Sequence, residues 1–177
     1  RLALSPGVTL RASDRLSLSL APAIDWTTNG WQYPAAPVVG GRPRYVVGRL
    51  DQTTVSLTTR IDLAFSPKLT LQLYAQPLAS DGLFGEFKEV VSPRAARTAD
   101  RVRLLAPGDR LVPADPSYRV GDLSANVVLR FEYRPGSALY AVWTQDRRAT
   151  PGREAAFAPA RDLIGVFGPP PPNTFLV

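Results

Sequence analysis

The chain has no histidine and no cysteine, and of its 21 basic residues only Lys68 and Lys88 are lysines. Without imidazole, the Ser-His-Asp and Cys-His nucleophilic arrangements and histidine-ligated zinc are all excluded. Without thiols there are no disulfides and no thiolate metal sites, which fits a protein that crosses an oxidising compartment without covalent staples. No apolar run is long enough to cross a bilayer as a helix. That excludes a helical membrane protein but not a barrel, since a spanning strand needs only ~9–11 residues with alternate positions apolar. A dense basic block is also missing: the net charge of +6 comes from arginines spread along the chain. A nucleic-acid partner, which wants a clustered basic stripe with interleaved aromatics, is therefore not expected. No charged n-region followed by an apolar h-region stands at the start. The chain opens on Arg1 and closes on Thr174, Phe175, Leu176 and Val177, which resembles a strand cut short, so a piece of a longer protein is expected.

What the sequence does have is alternation with period two, the mark of strands whose two faces meet different environments. In residues 15–26, Leu16, Leu18, Leu20, Pro22, Ile24 and Trp26 oppose Ser17, Ser19, Ala21, Ala23 and Asp25. The same sorting recurs in residues 53–65, 69–77 and 123–134, where Leu57, Leu71 and Leu129 sit on the apolar side and Arg60, Gln72 and Arg130 on the other. Residues 2–11 and 137–145 are strands of uncertain orientation. Tight turns are expected at Ser13-Asp14, Ser66-Pro67-Lys68 and Pro135-Gly136. Long loops are expected over residues 27–43, 79–121 and 147–173. The longest would hold a hairpin of residues 101–105 and 111–113 and a helical turn at 87–91. The proline run at 169–172 reads as a rigid extended approach to the last strand.

Short turns at one end and long loops at the other match an outer-membrane barrel, short on the periplasmic side and long outside. The polar faces carry Arg60, Asp62, Gln72, Tyr74, Gln76, Arg130, Glu132 and Arg134, which would line a watery lumen. Trp26, Phe65 and Tyr133 stand near segment ends on the apolar side, where interfacial girdles lie. The fold expected is therefore all-β, an antiparallel transmembrane β-barrel occupying residues 1–177 as a single domain. About six to eight strands are expected here, the C-terminal portion of a larger barrel, because a bacterial barrel usually needs at least about 8 and an even number.

Four strings carry a family resemblance: Arg44-Tyr45-Val46-Val47-Gly48-Arg49-Leu50-Asp51-Gln52-Thr53-Thr54, Leu71-Gln72-Leu73-Tyr74-Ala75-Gln76-Pro77, Phe87-Lys88-Glu89, and Arg130-Phe131-Glu132-Tyr133-Arg134-Pro135-Gly136-Ser137. They resemble a bacterial family of unknown function in which a carbohydrate-binding family-nine-like module precedes a C-terminal outer-membrane barrel. The resemblance covers most of residues 14–177 and implies a place in the cell outer membrane, in contact with outer-membrane lipid. Glycans or small solutes would be handled through the parent protein. The sugar-binding module itself is not in these residues. Barrels of this kind are expected to finish on an aromatic residue, whereas this chain stops at Val177.

Candidate sites have plain structural alternatives. Asp62 and Glu132 are the carboxylates that would make a glycosidase pair, but pairing with Arg60, Arg130 or Arg134 across the sheet is the expected role. Tyr74 with Gln72 and Gln76 would form a solute-contacting stripe or simply fill the lumen. Trp31 and Tyr33, in a long external loop, would offer a sugar platform or an interfacial anchor. Asp51-Gln52-Thr53-Thr54 would mark a bulge or bend. No catalytic residue, metal ligand or cofactor is expected. The functional expectation is a non-enzymatic outer-membrane barrel domain, anchor or solute channel of an exported carbohydrate-binding protein. The alternative is a soluble all-β ligand-binding module, a sandwich or lipocalin-like barrel.

Overall fold

A computed structural model describes residues 1–168 and 174–176. In chain order the elements are β1 (Leu2–Leu4), β2 (Val8–Ser13), β3 (Leu16–Ala35), β4 (Val38–Val39), β5 (Arg42–Pro43), β6 (Val46–Ser66), β7 (Leu69–Val90), α1 (Thr98–Arg101), β8 (Val102–Leu104), β9 (Tyr118–Arg134), β10 (Ser137–Ala149), α2 (Pro159–Gly165) and β11 (Thr174–Leu176). The protein is all-β with antiparallel pairing. One sheet runs β1-β3-β6-β7-β9-β10-β11, with β2 added to β3 and β8 to β7, while β4 and β5 form a separate ribbon. Among the described residues the sheet is open, with β1 and β11 at the ends of its path.

The three tight turns fall where the residues demand them. The Ser13 hydroxyl accepts the Arg15 N–H at 3.2 Å, and the Ser66 hydroxyl accepts those of Lys68 and Leu69 at 3.2 and 3.1 Å, leaving the donors of both turns satisfied. Gly136 closes the third with φ 77°, a conformation that a Cβ penalises. The first segment divides into β1 and β2 instead of forming one strand, broken at Ser5, Pro6 and Gly7, where proline has no N–H to pair.

The strands run well past the expected limits. β3, β6 and β7 span 20, 21 and 22 residues, and β3 and β7 take in residues 27–35 and 79–90, which read in the sequence as loop. Residues 27–35 lack an apolar face, yet Thr, Trp and Tyr suit a pleated backbone whether or not one face is greasy. Residues 87–90 belong to β7 and are not helical. β8 pairs with β7, Lys88 opposite Leu104 and Val90 opposite Val102, so the expected hairpin with residues 111–113 does not form. The proline run at 169–172 lies outside the described residues.

The chain condenses into two compact units. The first comprises Arg1–Leu2, Trp26–Thr53 and Asp81–Tyr118. Its core is Val46, Leu105 and Leu111, with Phe87 and Val112 against them. Gly82 meets the Tyr118 ring so closely that a Cβ there would lie 2.5 Å from Cζ. Gly82→Ala is accordingly expected to cost about 1–3 kcal/mol as the ring is displaced, read as a lower denaturant midpoint at unchanged slope.

The second unit comprises Ala3–Asp25, Thr54–Ser80 and Arg119–Val177. Here the leucine-bearing face of the strands is a single layer, partly covered by the segment that carries α2. Val166 packs on Leu123 and Ala125, with Ala75 alongside. Pro159 opens α2, where its missing N–H costs nothing, and the Asp162 carboxylate accepts the Ala158 N–H at 2.8 Å. Leu18, Leu57, Leu71 and Leu129 are partly buried and, among the described residues, belong to no shared buried cluster.

Candidate functional site

The polar face of the second unit gathers the residues singled out for a lumen. Alternation along β6 and β7 puts Arg60 and Asp62 beside Gln72, Tyr74 and Gln76. The Gln72 amide donates to Asp62 Oδ1 at 3.1 Å, and the Tyr74 hydroxyl donates to Gln76 Oε1 at 2.8 Å. The Arg60 guanidinium lies 5.3 Å from the centre of the Tyr74 ring, within cation–π range. On β9, Arg130 Nη2 donates to Glu132 Oε2 at 2.7 Å, and Tyr140 of β10 stands opposite Arg130. Arg134 is exposed beside the third turn.

The expected ion pairs across the sheet are thus replaced by shorter-range ones. Glu132 pairs with Arg130 two residues away on the same strand and face, which brings the two groups within reach without crossing a ladder. Asp62 is engaged by an amide from the next strand instead of by an arginine. Two concavities share Asp62 and Gln72. One, of about 230 Å³, reaches Arg60, Tyr74 and Asn126; the other, of about 550 Å³, reaches Arg11, Asp14, Arg15 and Thr70. Donors, acceptors and both signs of charge in one trough suit small polar solutes. No cluster of three metal-ligating side chains occurs among the described residues.

The aromatic residues divide by place. Phe65 and Tyr133, 52% and 50% exposed, stand next to the second and third tight turns. Trp26 is exposed within β3. Trp31 and Tyr33 also belong to β3, not to a loop, and both are exposed. Asn29 Oδ1 accepts the Trp31 N–H at 3.0 Å, and Lys88 Nζ sits 5.4 Å from the Trp31 ring centre, so one side of that platform already holds a cation. The Asp51-Gln52-Thr53-Thr54 string lies inside β6. Burial shifts there from even positions (Val46, Gly48, Leu50) to the odd Val55.

Two charged clusters escaped the sequence reading. In the first unit the Glu89 side chain is 1% exposed and held by Arg44 and Arg103, the latter donating from Nη2 at 2.8 Å. Burial alone would raise its pKa, but the hydrogen bonds and charges of Arg103 and Arg44 outweigh that and leave it below the ordinary glutamate value. In the second unit Asp162 behaves likewise. Burial opposes its ionisation, while the Ala158 N–H and the Arg161 and Arg119 charges leave its pKa lowered. A proline followed three residues later by aspartate is a helix-start signal that would have found α2. Nothing local marks Glu89, whose arginines are distant in sequence.

No family model, curated protein or solved structure matches this chain.

Proposed function

We propose that this chain is a non-enzymatic domain of a bacterial outer-membrane β-barrel, serving as anchor or solute path for an exported protein that handles glycans. The observation that carries the proposal is the contrast between the faces of the second unit. On one face Leu18, Leu57, Leu71 and Leu129 are partly buried and belong to no buried cluster among the described residues, and the other bears a polar trough holding Arg60, Asp62, Gln72 and Tyr74. In lipid, the apolar side needs no protein partner and the polar side lines water. From the cleft beneath α2, which reaches Ser56, to Phe65 is about ten residues, close to the ~9–11 that a tilted spanning strand requires. Phe65 and Tyr133 at the turn ends suit an interfacial girdle. Closure of the sheet is part of the proposal, because backbone groups left open at an edge are costly in hydrocarbon. Strands from the rest of a longer chain or from further copies would supply it. The four strings that resemble the barrel family with a carbohydrate-binding module support the same assignment.

The test is reconstitution. In lipid vesicles the protein is expected to resist extraction by carbonate and to migrate differently in detergent gels when unheated. A channel role predicts that Arg60→Glu shifts ion selectivity toward cations in planar bilayers, with the Leu73→Ala variant as a neutral comparison. Unchanged selectivity would leave only the anchor role.

A soluble all-β ligand-binding module is the second reading, favoured by one observation: α2 shelters part of the leucine face and forms one side of an open apolar cleft there. Recovery as a stable monomer in detergent-free buffer, with no partition into vesicles, would establish it in place of the first.

A further inference from the structure

A strongly apolar concavity of the second unit lies beneath α2. It is lined by Leu163, Ala160 and Pro159 of α2, by Pro22 and Ile24 of β3 and Val55 of β6, and by Leu4 and Pro6 from the start of the chain. Its volume is about 330 Å³, and no charged side chain lines it. That size lies at the small end of ligand sites, and the lining suits hydrocarbon alone.

The cleft is held open from both ends of the helix. At the start, Asp162 accepts the Ala158 N–H at 2.8 Å and Arg161 donates to its carboxylate at 3.0 Å. At the end, Val166 is wedged against Leu123 and Ala125, and Arg147 donates to the carbonyls of Phe167 and Gly168 at 3.2 and 2.8 Å. A helix anchored this way does not drop onto the strands to fill the gap. Pro22, Ile24 and Val55 continue the stripes of Leu16, Leu18 and Leu20 on β3 and of Leu57, Ile61 and Leu63 on β6, because each set shares its strand's parity. The helix and the turn after it also leave apolar groups outward: Ile164 of α2 is 69% exposed, and Phe167 just beyond it 54%.

We infer that this cleft takes one acyl chain of a membrane lipid, with α2 lying at the edge of the hydrocarbon layer as a clip over that chain. The inference rests on the outer-membrane reading, since only then does the stripe that runs into the cleft meet lipid. Stripe continuity selects the occupant: a chain lying along Leu20 or Leu57 enters the cleft without leaving apolar surface. The apolar edge of α2 sits where interfacial helices bury theirs.

The whole chain is reconstituted in vesicles containing a phosphatidylethanolamine with a photoreactive diazirine in one acyl chain, irradiated, and mapped by peptide mass spectrometry. Adducts are expected on residues 159–163 and 22–24 as well as along the leucine stripes. Ala160→Phe, which fills the cleft, is expected to reduce the 22–24 adducts about tenfold, as when about two methylenes are kept out, while stripe adducts persist. Leu163→Asn, which polarises the wall without filling it, is expected to act in the same direction, so the result does not depend on one variant folding. Stripe labelling with none in the cleft overturns the inference and leaves the membrane assignment standing. Equal cleft labelling in wild type and both variants also overturns it. A chain that stays in the aqueous phase and is labelled only by a soluble diazirine fatty acid overturns both, and the distribution between phases tells these failures apart.

Discussion

If the proposed outer-membrane assignment holds, Leu57→Arg is expected to keep the chain from inserting into bilayers in a heat-modifiable form, whereas Gln72→Arg is expected to leave insertion intact. That pair of outcomes is the largest effect expected of the proposed assignment. Leu57 lies on the partly buried leucine face and Gln72 on the polar one, where it already donates to Asp62 at 3.1 Å. On the lipid side, arginine near the midplane of a membrane strand costs about 2–4 kcal/mol. On the lumen side an added guanidinium stays in water and meets the carboxylate of Asp62. The measurement is the fraction inserted after refolding into vesicles across a urea series. Comparable insertion of both variants would remove the distinction between faces on which the membrane assignment stands. A soluble module also predicts harm from Leu57→Arg, so the decisive comparison is Leu57→Phe. Phenylalanine at that position is tolerated by lipid, while in a packed protein interior the added volume costs about 1–3 kcal/mol.

The second large effect belongs to the first unit. Glu89→Gln leaves Arg44 and Arg103 without their shared carboxylate and is expected to destabilise the packing of residues 102–112 on β6 and β7. Breaking a fully buried pair costs about 3–5 kcal/mol. Here both arginines are about half exposed, so water recovers part of their solvation and about 2 kcal/mol is expected. Hydrogen exchange and limited proteolysis over residues 91–117 would register the loss, and unchanged protection would refute it. Acid should do the same without mutation. A carboxylate whose folded pKa lies below its unfolded one contributes stability that is fully present above the unfolded value. That contribution disappears as the pH falls through the folded value. Protection over residues 91–117 is therefore expected to fade in the acid range in the wild-type chain, and to be flat there in Glu89→Gln.

Period-two alternation located the four strand segments at residues 15–26, 53–65, 69–77 and 123–134, because there one face is greasy and the other polar, while the three tight turns were legible from the residues they need. Residues 137–145, apolar on both faces, left the orientation of β10 open. Alternation failed where the two faces carry similar chemistry. Residues 27–35 and 81–90 extend β3 and β7 although their side chains do not sort by face, since ladder hydrogen bonds come from the backbone and leave no trace in hydropathy. Of the polar face, Arg60, Asp62, Gln72, Tyr74 and Gln76 were legible as a set, whereas their partners were not. A two-residue neighbour such as Arg130 meets Glu132 as easily as a residue across the ladder does. The Glu89 cluster was hidden for a different reason. A charged residue in a stretch without pattern reads as a solvated loop, and it is the extension of the β6–β7 ribbon beyond the patterned residues that brings Arg44, 45 positions away, to it.

The spacing of contacts along the chain sets an order of assembly. Ribbons closed by two-residue turns zip from adjacent sequence within about 1–10 μs. The Arg44–Glu89 bridge sits at the open end of the β6–β7 ribbon, where the Val90 N–H donates to the Tyr45 carbonyl at 2.9 Å, so it forms only once that ribbon has zipped along its whole length from the Ser66 turn. The clasp therefore fastens after the ribbons have formed, and newly made molecules pass through an interval in which residues 91–117 hang open to proteases and chaperones.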